Sequence, residues 1–154
     1  MYAGFWKRFF GYFIDSIVIL LGEIILIFFL AVIEMIFNKI GIEQTIKENI
    51  LVIIGLPLYI SWPWLYYAVL ESSRIQATLG KKVLQLIVVD IYNNRISFAR
   101  ASARYWSKVI SAAILLIGFF MAGFTKEKRA LHDIIAGTYV INKSHEENVT
   151  LIEA

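Results

Sequence analysis

Apolar residues gather along this chain in three long stretches, with polar segments of unequal length between them. The first runs from Phe9 to Phe37, and its only charged residues are Asp15, Glu23 and Glu34. As a helix it would be about 43 Å long against a hydrocarbon core of roughly 30 Å, so it must tilt or project. The second, Ile50 to Leu70, is uncharged and carries Trp62, Trp64, Tyr66 and Tyr67 towards its end, where amphipathic rings suit the headgroup region. Pro57 and Pro63 predict a kinked helix there, because each removes a backbone donor and crowds the preceding turn. The third, Trp106 to Phe124, is uncharged after Lys108 and holds Ser111, Ala112, Ala113, Gly118 and Gly123, small residues that let helices approach closely in lipid.

The polar stretch Glu71 to Tyr105 is too long for a tight turn. Gly80 with Lys81 and Lys82 reads as a break and a basic patch, and Val83 to Val89 is rich in β-branched residues. Asn93 and Asn94 suit a turn and Ile96 to Phe98 a return arm, so a short β-hairpin is expected. Ser97 is placed to cap a helix over Phe98 to Tyr105 that carries Arg100 and Arg104 on one side. The later segment Ala130 to Ile141 is too short to span, and reads as interfacial or re-entrant, or as a helical turn followed by a strand from Thr138 to Ile141. Pairing of that strand with Val83 to Val89 would put both on one side of a membrane and overturn a simple three-span path. The fold expected is therefore an all-α membrane protein of three transmembrane helices, with an interfacial segment and a small β-hairpin between the second and third. Residues 1–143 form the single domain of this reading and residues 144–154 a polar C-terminal tail.

Composition narrows the chemistry. In 154 residues, 59% hydrophobic and 18% charged residues exclude disorder and disfavour a soluble domain. With no cysteine and two histidines, there is no disulfide, no thiolate-bound metal and little for a zinc site. No cofactor and no enzymatic activity are expected, because no nucleophile has a base and an orienting group in a recognisable arrangement. The first apolar stretch is too long for a cleaved leader and reads as a retained anchor.

The net charge of +3 comes with basic residues that flank apolar spans, which the positive-inside rule explains better than nucleic-acid binding. An N terminus in the cytoplasm puts Lys7, Arg8, Arg74, Lys81, Lys82, Arg95, Arg100, Arg104 and Lys108 inside. Lys39, Lys47, Lys126, Lys128, Arg129 and Lys143 are then outside. Lys126, Lys128 and Arg129 sit badly in that scheme. Lys81, Lys82, Arg100 and Arg104 are candidate contacts to anionic lipid or to a partner.

Acidic residues inside apolar stretches are the main functional signal. Arg8 and Asp15 are seven apart and share a helix face, with Tyr12 between them as a candidate hydrogen-bond relay and Glu23 two turns beyond. A carboxyl group at membrane depth costs roughly 2.5–3.5 kcal/mol on insertion scales, so each must face protein, water or a cation. One reading pairs Asp15 with a cation on another segment to hold the bundle; the other makes it a site that exchanges a proton for a cation. His132 beside Asp133 invites a dyad, but neighbours on a helix point about 100° apart.

Three fragments in order resemble the RDD family of small multi-span membrane proteins, named for one arginine and two aspartates. The stretch GFWKRFFGYFIDS resembles its opening motif through Arg8 and Asp15, ATLGKKVLQLIVVD its middle segment, and RALHDIIAGTYVI its closing motif through Asp133. The middle segment departs from the family pattern at Gln85, where glycine is often expected, and at Asn93 and Asn94 in the turn. The resemblance implies a multi-pass protein of the cell membrane with suspected transport, in some members cation/proton antiport. Applied here, it points to Arg8, Asp15 and Asp133, and with Glu23 these form the candidate transport or structural polar site, to which the helix positions add Tyr12 and His132 as supporting residues. Glu23 comes from the apolar context alone. The partners expected are membrane lipid, a monovalent cation and a proton, and, because three spans enclose little volume, a homo-oligomer or larger complex. The alternative is a non-catalytic assembly or anionic-lipid-binding protein.

Overall fold

The computed structural model describes residues 2–113 and 128–143. Two long helices dominate it. Helix α1, Phe5–Ile40, contains no proline and ends where Gly41 takes φ 78° and returns its N–H to the Asn38 carbonyl, a left-handed cap that glycine adopts without a Cβ penalty. Helix α2, Gln44–Ser72, runs unbroken through Pro57 and Pro63. The two lie antiparallel. Near one end Trp62 covers Gly22, where any Cβ would overlap the indole ring, and Trp62 Nε1 donates to the Ile19 carbonyl at 3.3 Å. At the other end Lys47 Nζ donates to Asn38 Oδ1.

Most of this pair faces outward with apolar side chains, among them Ile24, Ile27, Phe28, Val52, Ile53 and Leu56. Water would not tolerate so large a patch, whereas lipid requires one. Both helices are long and apolar enough to cross a membrane. Most of the third expected span, Trp106 to Phe124, lies outside the described residues. Its beginning belongs to helix α4, Phe98–Ala113, whose start is capped as expected, with Ser97 Oγ accepting from Arg100 N–H at 3.3 Å. The tail from residue 144 onward also lies outside the described residues.

The remaining elements form a small unit at the α1 N-terminal end: helix α3, Leu79–Val83; strand β1, Leu86–Asp90; helix α5, Leu131–Ala136; and strand β2, Thr138–Asn142. The expected hairpin is corrected in part. Its first strand, expected over Val83 to Val89, forms only from Leu86, because Val83 ends α3 and Gln85 turns at φ 55°; its turn forms, with Asn93 at φ 61°, Asp90 Oδ1 accepting from Tyr92 and Asn94 N–H at 2.8 Å each, and a single bridge from Val89 to Arg95. The return arm does not become a strand, because Ser97 turns the backbone into α4. β1 instead pairs antiparallel with β2, from Leu86 opposite Asn142 to Asp90 opposite Thr138.

Every residue of β1 is buried, which demands cover on both faces. Leu86, Val88 and Val140 pack with Ala3, Ala68, Ile96 and Ala101 on one face, and Ile87, Val89 and Ile141 with Ala77 on the other. The far edge of β2 is taken by the N terminus, with Ala3 N–H bonded to the Val140 carbonyl at 2.9 Å and Tyr2 bridging Ile141.

Candidate functional site

Two polar centres lie where this unit meets the long helices. The first surrounds Asp15, which is fully buried on α1. Tyr66 of α2 donates its hydroxyl to Oδ1 at 2.7 Å, Thr78 donates to Oδ2 at 2.6 Å, and Gly80 N–H donates to Oδ1 at 2.8 Å. Tyr66 Oη in turn accepts Leu79 N–H at 3.2 Å. Thr78 precedes α3, so Asp15 reaches across from another helix to cap it, satisfying a donor that the first turn leaves free. Gly80 permits the approach: a Cβ there would overlap the Gly11 carbonyl oxygen and stand 2.9 Å from Asp15 Oδ1.

The second centre is a chain of charges. Arg104 of α4, buried, forks between two carboxylates. Its Nη1 lies 2.8 Å from Glu71 Oε2, and its Nη2 and Nε lie 2.7 and 3.0 Å from Asp133 Oδ1. Arg8 Nη1 bonds Asp133 Oδ2, and Lys81 Nζ bonds Glu71 Oε1. Lys108 Nζ stands 3.8 Å from Glu71 Oε1 and 3.7 Å from the centre of the Tyr67 ring, a cation–π position. Asp133 also accepts Ala130 N–H at 3.2 Å, which caps α5 from within. Gly80 and Lys81 are neighbours on α3, so that one short helix joins the two centres.

The electrostatics follow from that wiring. Burial alone would raise the Asp133 pKa, but Arg104 and Arg8 hold the carboxyl well below its usual range. Burial likewise works against Arg104, and the charges of Glu71 and Asp133 overcome it and raise its pKa. For Lys81 burial wins over the attraction of Glu71, and its pKa is lowered. His132, with Nε2 3.5 Å from Asp133 Oδ1, is driven by burial well below the ordinary imidazole range and is neutral at pH 7.

The structure brings some candidate residues together and separates others. Arg8 pairs with Asp133 across 125 positions of sequence rather than with Asp15, which lies on its own helix face. Tyr12 is half exposed, and the phenol on Asp15 is Tyr66. Glu23 makes no hydrogen bond or ion pair among the described residues. Of the four basic residues read as lipid or partner contacts, Lys81 and Arg104 turn inward onto the carboxylates. Lys82 is exposed, and Arg100, exposed too, pairs with Asp90 at 3.3 Å. Glu71 and Thr78 were not singled out from sequence, while Tyr66, read as a headgroup-region ring, and Lys108, read as a flanking positive charge, are both turned inward to these centres. The available signal was a carboxylate placed directly after a long uncharged stretch and a lysine at the start of another.

A model of the RDD family matches residues 2–137. The chain belongs to the RDD family. A Bacillus subtilis (strain 168) relative, named uncharacterized protein YxaI, is 37% identical over 151 residues, which cover 92% of this chain and 97% of the relative. No solved structure gives a match. This RDD protein is thus a membrane protein whose buried acidic residues form internal salt bridges. The arginine and aspartates that resemble the family motif divide between the two centres, Arg8 and Asp133 in the charge chain and Asp15 at the α3 cap. Gln85, where the family often has glycine, takes φ 55°, a left-handed conformation that penalises any side chain with a Cβ. Among the described residues no group of His, Asp and Glu is arranged to hold a metal ion.

Proposed function

We propose that this RDD protein is a non-catalytic membrane protein that binds anionic lipid and uses its charge network to hold a fixed shape at the headgroup boundary. One observation carries the reading. Arg8, Lys81, Arg104 and Lys108 share two carboxylates, Glu71 and Asp133, so both acids are already committed and the surplus is positive. A positive surplus in a poorly screened setting repels a further cation and attracts anionic headgroups. The bond between Ala3 and Val140 supports one side for both ends of the described chain, and the basic flanks favour the cytoplasm as that side. Lys128 and Arg129 then join Lys7 and Arg8, which removes the conflict in the charge pattern. The test is reconstitution in phosphatidylcholine vesicles with increasing phosphatidylglycerol. The thermal midpoint should rise with the anionic fraction, and a midpoint indifferent to it would refute the reading.

A second reading, exchange of a monovalent cation for a proton at Asp15 in a homo-oligomer, is favoured by the full burial of that carboxylate on a helix long enough to span. The hydroxyls of Tyr66 and Thr78 would have to turn their oxygens towards the incoming cation. Asp15→Asn should abolish pH-dependent cation flux into proteoliposomes, and unchanged flux would remove this second reading.

A further inference from the structure

Helix α4 carries its charges inward and its apolar residues outward. Arg104 is buried on Glu71 and Asp133, and Lys108 Nζ stands 3.8 Å from Glu71, so the charged face that a helix ordinarily shows to water is turned onto carboxylates. Phe98, Ala99, Ala103, Trp106 and Val109 share the opposite face and are exposed. Such a face suits lipid and not water. Its depth follows from α2. That helix is 29 residues long, about 43 Å, so a hydrocarbon core of roughly 30 Å that begins in its first turn ends near Trp64. The centre of the Trp64 ring lies 5.9 Å from that of Phe98 and 6.4 Å from that of Trp106, and Trp64 Nε1 donates to Ser102 Oγ at 3.0 Å. Successive turns of α4 thus meet one side chain of α2, which lays α4 across α2 at the core boundary instead of along it. The turn that precedes α4 shares this position, because Arg100 Nη1 holds Asp90 Oδ2 at 3.3 Å and keeps residues 91–95 beside the first turn of the helix. Ile91 and Tyr92 project from that turn, Tyr92 with 75% of its surface exposed. Arg95 is exposed as well, and its side chain makes no ion pair or hydrogen bond among the described residues.

We infer that α4 and the turn at residues 91–95 form a seat for anionic phospholipid in the leaflet facing the N terminus. The apolar face of α4 and the Tyr92 ring enter the boundary between headgroups and acyl chains, and Arg95 meets the phosphate. The inference rests on the lipid-binding reading above and names its surface. Arg104 is spent inside the protein, so the basic residue that lipid meets at this seat is Arg95.

The chain has no cysteine, so single nitroxide labels on Ala99→Cys, Ala103→Cys and Tyr92→Cys of the full-length protein can be read by electron paramagnetic resonance in vesicles of phosphatidylcholine and phosphatidylglycerol. Oxygen, which concentrates in lipid, should relax all three labels more strongly than a water-soluble nickel chelate does. Labels that the chelate reaches freely would put this surface in water and overturn the seat. Labels that neither reagent reaches would mean cover by protein, a second copy or another chain, and would overturn it too. In the same vesicles spin-labelled phosphatidylglycerol should associate in preference to spin-labelled phosphatidylcholine. Arg95→Gln should weaken that association about fivefold, the effect of one basic side chain at an anionic surface, and Arg95→Lys should keep it. Undiminished association in Arg95→Gln would overturn this seat alone. A wild-type protein with no preference for phosphatidylglycerol would remove the lipid-binding reading itself.

Discussion

Replacing Gly80 by alanine sets two physical effects against each other with opposite signs. Gly80 is inside α3, and on helix propensity alone alanine should stabilise by about 0.5–1 kcal/mol. Its environment says the reverse. The new methyl would overlap the Gly11 carbonyl oxygen, which belongs to the backbone of α1 and cannot rotate aside, and would press on Asp15 Oδ1. Moving α3 outward to relieve the overlap stretches the Gly80 and Thr78 bonds to Asp15 together. Hydrogen bonds to an ionised group contribute about 1.5–3 kcal/mol each, and overpacking costs about 1–3 kcal/mol. With the two bonds weakened rather than lost, a net destabilisation of about 3–5 kcal/mol is expected. Equilibrium unfolding in micelles, followed by tryptophan fluorescence, would read it. If Gly80→Ala leaves stability unchanged or raises it, the close approach of α3 to α1, and with it the capping role of Asp15, is wrong.

Removing the fork of the charge chain with Arg104→Met should cost about 3–5 kcal/mol, because Glu71 and Asp133 each lose a buried partner; urea unfolding would register a smaller loss if the pairs were exposed. His132 is neutral in the fold, whereas in the unfolded chain it takes up a proton below about pH 6.5. Stability should therefore fall as the pH drops below that value, by up to about 1.4 kcal/mol per pH unit, and His132→Phe should flatten the slope. Below about pH 4 protonation of Asp133 in the unfolded chain adds a further loss in the same direction. Gln85→Gly should raise stability by about 0.5–1 kcal/mol by relieving the left-handed backbone, and a loss of stability would contradict that conformation. In a chain without native cysteine, single cysteines at Lys143 and Glu43 should react with an impermeant maleimide from opposite sides of a vesicle; labelling of both from one side would refute the shared side of the two chain ends.

The long helices were legible because their signal is local. A run such as Ile50 to Leu70 needs no partner to declare itself, and proline within it altered neither its start nor its end. Asp15 was legible as a residue that must be shielded, but not what shields it, because Tyr66, Thr78 and Gly80 are brought to it by tertiary packing. Gly80 itself misled: glycine before two lysines reads as a break, yet here it is a helical residue chosen for the absence of a side chain. Helical spacing linked Arg8 to Asp15, whereas the bond Arg8 makes is to Asp133, and no periodicity encodes a contact across 125 positions. The β-branched run Val83 to Val89 predicts a strand, which forms from Leu86 once α3 has taken Val83, and its partner differs in part from the one expected, because β-propensity says that a segment will pair and not with whom.

The junction between the first residues and β2 also orders events on the ribosome. Arg8 is made about 125 residues before Asp133, an interval of about 6–25 s at 5–20 residues per second. Over that time α1 and α2 can enter the bilayer as a hairpin while the arginine has no carboxylate to meet. Only when β2 emerges can Tyr2 and Ala3 be stitched down. A truncation that stops translation before Thr138 should therefore yield an inserted hairpin whose amino-terminal residues are still open to protease.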